Sequence, residues 1–289
     1  VTTSPQRPRV LTTVAEVREL VAVERARDRT ISLTPTLGAL HAGHLAHLER
    51  AAELVDTRVV SVFVNPLQFG PSEDLDKYPR SLDADLDRLA ELRVPYVFAP
   101  SVEEMYPRGI PQTQVTAGKV GSLYEGRARP GHFDGVLTVV AKLLMIVTPD
   151  IVTFGQKDAQ QLFLVRRMID DLNIPVRVET IETVREDDGL ALSSRNRFLE
   201  PRERRAARVL SQALDAAASS ADRGIDAVVA AAQSTLMGEP LIALDYLKIV
   251  NPSTFLPVDD GYRGPATALV AARVGTTRLI DNEQIVLAG

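Results

Sequence analysis

The segment Arg58-Val-Val-Ser-Val-Phe-Val64 is almost unbroken in β-branched and apolar residues. A strand with one wet face would alternate, so this one needs cover on both faces, as in the middle of a parallel sheet. Its neighbours fit that setting. Further strands are predicted at residues 30–34, 94–99, 151–154 and 176–181. Helical spacing predicts helices at 13–27, 45–55, 82–92, 135–147 and 160–172. Thr12 or Thr13 can cap the first, and Leu45, Leu48, Ala52 and Val55 are expected to share one face of the second. Alternating strands and helices read as an open parallel α/β sheet with right-handed crossovers. Ligands of such sheets bind at the carboxyl ends of the strands, and His41, Asn65 and Lys157 each follow a predicted strand.

Past Thr183 the texture changes. An acidic turn, Glu186-Asp-Asp-Gly189, leads into a basic loop, Ser193-Ser-Arg-Asn-Arg197. The alanine-rich stretch 201–237 reads as two helices broken near Gly224, followed by strands at 244–250, 266–274 and 278–286. A chain of 289 residues is expected to form about two domains. Here they are predicted as residues 1–183 and a smaller α+β domain of 184–289.

Composition excludes several classes of function. The net charge is −5 with no Lys/Arg-rich block, which argues against nucleic-acid binding as the main task. The absence of cysteine removes disulfides, thiolate nucleophiles and cysteine-based zinc sites, and fits the cytoplasm. Residues 1–9 lack an apolar signal core. The apolar run 136–147 is too short to span a bilayer and is interrupted by Thr138 and Lys142, so no membrane association is expected. No His/Glu/Asp spacing suggests a metal site built from protein groups alone. Any Mg²⁺ would ride on phosphates.

The chemistry concentrates in five segments. In Thr34-Pro-Thr-Leu-Gly-Ala-Leu-His-Ala-Gly-His44, two imidazoles three residues apart sit where a helix begins. Unpaired backbone N–H groups and the positive dipole end make that a phosphate site. Gly43 allows a flat ribose or base to approach the backbone, and His41 and His44 supply donors to charge building on an α-phosphate. In Val64-Asn-Pro-Leu-Gln-Phe-Gly70, Asn65 and Gln68 suit a hydroxylated carboxylate, although an Asn-Pro turn with Gln68 in solvent is the plainer reading. In Phe154-Gly-Gln-Lys-Asp-Ala-Gln-Gln161, Lys157 suits phosphate. Asp158 and Gln161 form a D-x-x-Q capping pattern, with substrate binding as the competing use of Gln161. Ser193, Ser194 and Arg195 form a candidate phosphate clamp in a mobile loop, although a solvated basic loop ahead of a helix is the plainer reading. The glycine-rich, basic segment 124–133 reads as a flexible lid bearing Arg129 and His132. His47 and the acidic residues Glu73, Asp74, Asp76, Asp83, Asp85 and Asp87 read as solvated surface.

In order and spacing, these segments resemble the pantothenate synthetases (pantoate–β-alanine ligases) of the H-x-G-H nucleotidylyltransferase superfamily. The resemblance runs from P-T-L-G-A-L-H-A-G-H to T-T-R-L-I-D-N at 276–282 and covers nearly the whole chain. The H-x-G-H element is shared with class I aminoacyl-tRNA synthetases; its combination with V-N-P-L-Q-F, G-x-K-D-x-Q-Q and L-x-S-S-R-N is far more specific. The resemblance implies a Rossmann-like N-terminal domain, a small C-terminal domain closing over the active site, and a homodimer. It implies ATP-dependent joining of pantoate to β-alanine through a pantoyl adenylate. His44, His41, Lys157 and Arg195 would act in catalysis, with His44 the proton donor to the reacting phosphate. Leu37, Gly38, Gly43, Gly155, Gln156, Asp158, Val184, Leu192, Ser193 and Ser194 would join them in binding ATP. Gln68, Gln161, Asn65 and Arg129 would hold substrate. The chain departs from the family at Leu37 and Leu192 (commonly methionine), similar-sized apolar swaps of little expected effect, and at Ala42 and Gln156 (commonly glutamate) and Ala159 (commonly tyrosine), which bear on substrate affinity. Two other readings stand beside it: a different nucleotidylyltransferase, which has no need of two glutamines for a hydroxy acid, and a non-catalytic nucleotide binder, which could dispense with His44.

Overall fold

The computed structural model describes residues 6–70 and 81–288. The predicted acidic surface at Glu73, Asp74 and Asp76, and the first five residues, lie outside the described residues. In chain order the elements begin with β1 (Arg9–Leu11), α1 (Val14–Arg25), β2 (Ile31–Thr36), α2 (Ala42–Leu54) and β3 (Thr57–Val62). They continue with α3 (Leu82–Glu91), β4 (Tyr96–Phe98), α4 (Val102–Met105), α5 (Tyr124–Ala128), α6 (His132–Val147) and β5 (Ile151–Gly155). Then come α7 (Ala159–Asp171), β6 (Arg177–Ile181), α8 (Pro201–Ala207), α9 (Val209–Ala218) and α10 (Ile225–Met237). The chain closes with β7 (Ile242–Val250), β8 (Gly264–Val274) and β9 (Thr277–Leu287).

Two compact units emerge: residues 1–155 with 164–181, and residues 156–163 with 182–289. The segment 156–163 thus belongs with the second unit although residues 164–181 of the first unit follow it.

The first unit holds a six-stranded sheet in the order β1-β4-β3-β2-β5-β6, every pair parallel. The run predicted to be doubly covered is β3, central in the sheet, with Val59 and Val60 fully buried. Leu48 of α2, Leu86 and Leu89 of α3, Val60 and Val97 form one apolar cluster. The capping box at Thr13 starts α1: its side chain accepts from Glu16 N, and Glu16 reaches back to Thr13 N. The strand order reverses between β2 and β5, and the carboxyl ends flanking such a reversal form the ligand crevice of parallel α/β sheets.

The second unit packs α9 and α10 beside an antiparallel sheet, β7-β8-β9. Leu210, Leu214, Val228, Val270 and Val274 are buried in its core.

Several expectations change. α2 begins three residues early and buries Leu48 and Ala51, whereas Ala52 is exposed. The stretch 201–237 forms three α-helices. Between α8 and α9 the ladder is interrupted at Arg208, whose carbonyl also accepts from the Ser211 hydroxyl; the apolar period runs through this break and hides it. Segment 124–133 is not a loose lid. Its first half is α5, with Glu125 and Gly126 buried, and a Cβ on Gly126 would fall 1.8 Å from Gly121 O, so only glycine fits.

Candidate active site

The loop leaving β2 is held from below. Thr36 Oγ1 donates to Ser61 O (2.8 Å) and accepts from Gly38 N (3.2 Å). Gly38 and Ala39 then both take positive φ, +85° and +52°. Asp85 of α3 sits under this turn, accepting from Ala39 N (2.9 Å) and Leu40 N (2.8 Å), while Arg88 donates to Leu40 O. A Cβ on Gly38 would come within 3.1 Å of Asp85 Oδ2, so glycine serves both the turn and the fit. Asp85 is 2% exposed, which corrects its reading as solvated surface. The helical pattern marks it as flanked by acidic neighbours, and the backbone donors that draw it inward belong to residues 39–40, far away in sequence. Asp83 and Asp87 are solvated and pair with Arg7.

The turn delivers His41 as the N-cap of α2. His41 Nδ1 accepts from Gly43 N (3.2 Å), and His44 Nδ1 accepts from His41 N (3.3 Å). This is a capping box made of two imidazoles, with ring centroids 4.1 Å apart. A backbone N–H can only donate, so each Nδ1 carries the lone pair and each neutral ring carries its hydrogen on Nε2. Two Nε2–H donors therefore stand at the positive end of α2. His47, expected at the surface, is half-buried, with Nδ1 3.1 Å from Thr153 Oγ1 of β5. A Cβ on Gly155 at the end of β5 would lie 3.4 Å from its Nε2.

Asn65 leaves β3 fully buried, and its Nδ2 donates to Gly135 O (3.1 Å) and Gln68 Oε1 (3.2 Å). Gln68 is 8% exposed, which removes the reading that leaves it in solvent. α6 starts earlier than predicted and takes His132 into its first turn, buried, with Nδ1 2.8 Å from Gln68 O. Arg129 Nη1 lies 2.9 Å from His132 Nε2. A Cβ on Gly135 would fall 2.2 Å from Leu67 O, so this glycine lets α6 touch the Asn65–Gln68 turn. The structure thus joins Asn65, Gln68, His132 and Arg129 in one network.

The second unit carries the remaining candidates. Lys157, Ser193, Arg195, Arg278 and Asp281 line one cleft. Lys157 is mostly buried, its Nζ 3.8 Å from Asp158 Oδ1. Asp158 stands immediately before α7, in the cap position, and Gln161 is half-buried in the first turn. The loop expected to be slack is tied down: Leu192 N donates to Val184 O (2.9 Å), and Asn196 Nδ2 to Glu186 Oε1 and Ala191 O. Ser193 Oγ caps the 3₁₀ turn Ser194–Phe198 by accepting from Arg195 N, and Arg195 is exposed.

Residues without an assigned role in the sequence reading hold the lining of this cleft in place. Arg185 grips Asp281 with two bonds, 2.6 and 3.1 Å, and Asp281 is 5% exposed. Burial alone would lower the Arg185 guanidinium, but its hydrogen bond and charge pairing with Asp281 raise it. Asn282 Nδ2 donates to Gln156 O (3.0 Å) and Lys157 O (2.9 Å), and Gln156 Nε2 returns a bond to Asn282 Oδ1 (3.2 Å). A glutamate at 156 could not make that last donation. The run 276–282 signalled these residues, but nothing local in it says which of its side chains turn toward Lys157.

Among the described residues, no three His, Asp or Glu side chains are grouped to hold a metal ion, and no helix is long and apolar enough to cross a membrane. Residues 9–284 match the family described as pantoate-beta-alanine ligase. The chain is 54% identical to a pantothenate synthetase of Leifsonia xyli subsp. xyli, over 96% of this chain and 100% of that one. It is 53% identical to one from a Nocardioides species, over 94% and 84%. A crystal structure of pantothenate synthetase from Thermus thermophilus superposes with a TM-score of 0.89 at 48% identity, covering 95% of this chain and 98% of that one. A pantoate-beta-alanine ligase from Francisella tularensis, solved with beta-gamma ATP and beta-alanine, gives 0.77 at 29% identity over 96% and 97%.

Proposed function

The chain belongs to the pantoate–β-alanine ligase family, and on that premise we propose that it condenses pantoate with β-alanine at the expense of ATP, through a pantoyl adenylate. A carboxylate oxygen of pantoate attacks the α-phosphorus, the bond to the β-phosphate breaks, and pyrophosphate leaves. The β-alanine amine then attacks the acyl carbon, the acyl–phosphate bond breaks, AMP departs, and the ammonium proton is released.

The observation that carries this reading is the imidazole capping box. With both Nδ1 atoms committed to backbone donors, His41 and His44 offer Nε2–H groups at a helix N-terminus. Those donors suit charge that grows on an α-phosphate, and His44 is assigned the donor role in adenylate formation. Lys157 and Arg195 are assigned to phosphate, supported by their common cleft with Ser193. Leu37, Gly38, Gly43, Gly155, Gln156, Asp158, Val184, Leu192 and Ser194 are assigned to ATP. Asn65, Gln68, Gln161 and Arg129 are assigned to pantoate, supported for three of them by the buried network around Gln68. Positioning and charge stabilisation suffice for phosphoryl transfer, and no covalent protein nucleophile is required. Mg²⁺ enters with ATP as part of the substrate, keeping most of its waters. A cytoplasmic homodimer completes the proposal.

Pyrophosphate–ATP exchange with β-alanine left out tests it. Exchange that requires pantoate is the expected result. Tight ATP binding without pantoate-dependent exchange would assign the site to another acceptor.

A further inference from the structure

Asn65 is an amide with every polar position used. Its Oδ1 accepts from the Tyr106 hydroxyl (2.7 Å) and from Leu67 N (3.3 Å). Its Nδ2 donates to Gly135 O and Gln68 Oε1. Reversing this amide would set its oxygen against the Gly135 carbonyl and its amino group against the Leu67 N–H, so one orientation is selected, and the Tyr106 hydroxyl, which can donate or accept, donates to the oxygen that this orientation presents. Tyr106 is 6% exposed, packs against Phe63 with ring centroids 6.1 Å apart, and lies under the Lys142 ammonium at 5.6 Å. Burial pushes its phenol further above the ordinary range, so the hydroxyl keeps its proton.

The selection passes outward. Asn65 Nδ2 requires an oxygen from Gln68, so the Gln68 carbonyl turns inward and its amino group is the end not committed to Asn65. We infer that Tyr106 is a positioning residue: its hydroxyl braces the Asn65 amide in the orientation that the Leu67 N–H and Gly135 carbonyl select, and so keeps the Gln68 amide turned to meet pantoate with an N–H donor rather than a carbonyl. A donor there matches a carboxylate or a hydroxyl oxygen, and mismatched polarity at a buried polar contact is how such a site rejects the wrong ligand. The inference rests on the assignment of Gln68 to pantoate.

The test uses the full chain and pantoate-dependent pyrophosphate–ATP exchange. Tyr106→Phe should raise the KM for pantoate about fivefold, the scale of one neutral hydrogen bond, and leave the KM for ATP unchanged. In a Gln68→Ala background that increment should vanish. Gln68→Glu keeps an oxygen toward Asn65 but places a second, charged oxygen where the amino group was. It should bind pantoate about tenfold more weakly than Gln68→Ala, because like charges would face each other. This comparison stands even if Tyr106→Phe folds poorly. Gln68→Glu binding as well as Gln68→Ala, or a Tyr106→Phe effect that persists in the Gln68→Ala background, overturns the inference while leaving Gln68 on pantoate. An unchanged pantoate KM in Gln68→Ala removes the assignment of Gln68 and the inference with it.

Discussion

The two units hold their candidate residues with different forces. In the first, the histidine pair and the Asn65–Gln68 turn are fixed mostly by neutral donors meeting neutral acceptors: backbone N–H to imidazole, amide to amide, hydroxyl to amide. In the second, the cleft is built from charges, with Lys157, Arg195 and Arg278 beside the Arg185–Asp281 pair. Neutral networks depend on geometry and are nearly indifferent to salt. Ionic clusters tolerate some misplacement but respond to every change in neighbouring charge. The first arrangement suits a group that must meet one atom at one moment; the second suits a polyanion gripped along its length.

The largest test of this contrast removes His44. His44→Ala should lower turnover by about 10²–10³, the scale of a single lost transition-state donor, with little change in the KM for ATP. Near-normal turnover would show that the neutral unit only scaffolds the reaction.

Next in size is the ion pair. Arg185→Ala leaves Asp281, whose side chain is 4% exposed, without its counter-ion. Loss of one partner of a fully buried pair costs about 3–5 kcal/mol; because the Arg185 side chain is 27% exposed, a loss of about 2–3 kcal/mol is expected in denaturant unfolding. Asp281→Asn added to Arg185→Ala should recover part of it. If the double variant is no better than the single one, the cleft is not held by charge in the way described.

That difference also explains what the sequence disclosed. His41, Gly43 and His44 lie within one turn of α2, and the strand-then-helix pattern already puts them at a helix start. Local spacing carries that information. The cleft draws on residues 157, 195, 278 and 281, with Arg185 behind Asp281, and their meeting is decided by the β9 register and the fold of 184–192. The places of Asp85 and His47 are hidden from local spacing for the same reason. Each looks like helix surface until an unpaired backbone turn or a buried threonine from another segment supplies its partner. Tyr106 stands outside every motif, and only the distance to Asn65 gives it a role.

A smaller effect is expected at Lys157. Lys157→Ala should slow adenylate formation and its pyrophosphorolytic reversal equally, by about tenfold, with a greater loss at low salt than at high. Both directions cross the same transition state, so a cation that acts there and holds the two bound ground states equally affects them alike. Slowing confined to the β-alanine step would take Lys157 off the phosphates.

The smallest effect separates the units by pH. In the first, backbone and hydroxyl hydrogen bonds from Thr12 and Thr13 hold the Glu16 carboxyl below its ordinary value, and those from Thr30 do the same to Asp56. In the second, Glu283 is raised above its ordinary 4.5, chiefly by burial, with Asp281 and Asp215 adding to the rise and Arg185 opposing it. The signs are opposite. A lowered carboxyl favours the folded state above its unfolded pKa, and that stability disappears as pH falls through the folded value. A raised carboxyl makes the folded state bind more protons, so its contribution is complete below pH 4.5 and lost as pH rises through the higher folded value. Glu283→Gln should therefore raise the unfolding midpoint slightly at neutral pH and leave it nearly unchanged below pH 4.5. Removing Arg185 takes away the larger of the two influences holding Glu283 down, the other being a hydrogen bond from the Gln284 backbone, so the gain from Glu283→Gln should be larger in the Arg185→Ala background. A gain of the same size in both backgrounds would show that burial alone sets Glu283, and that the charges of this cleft do not act as a cluster.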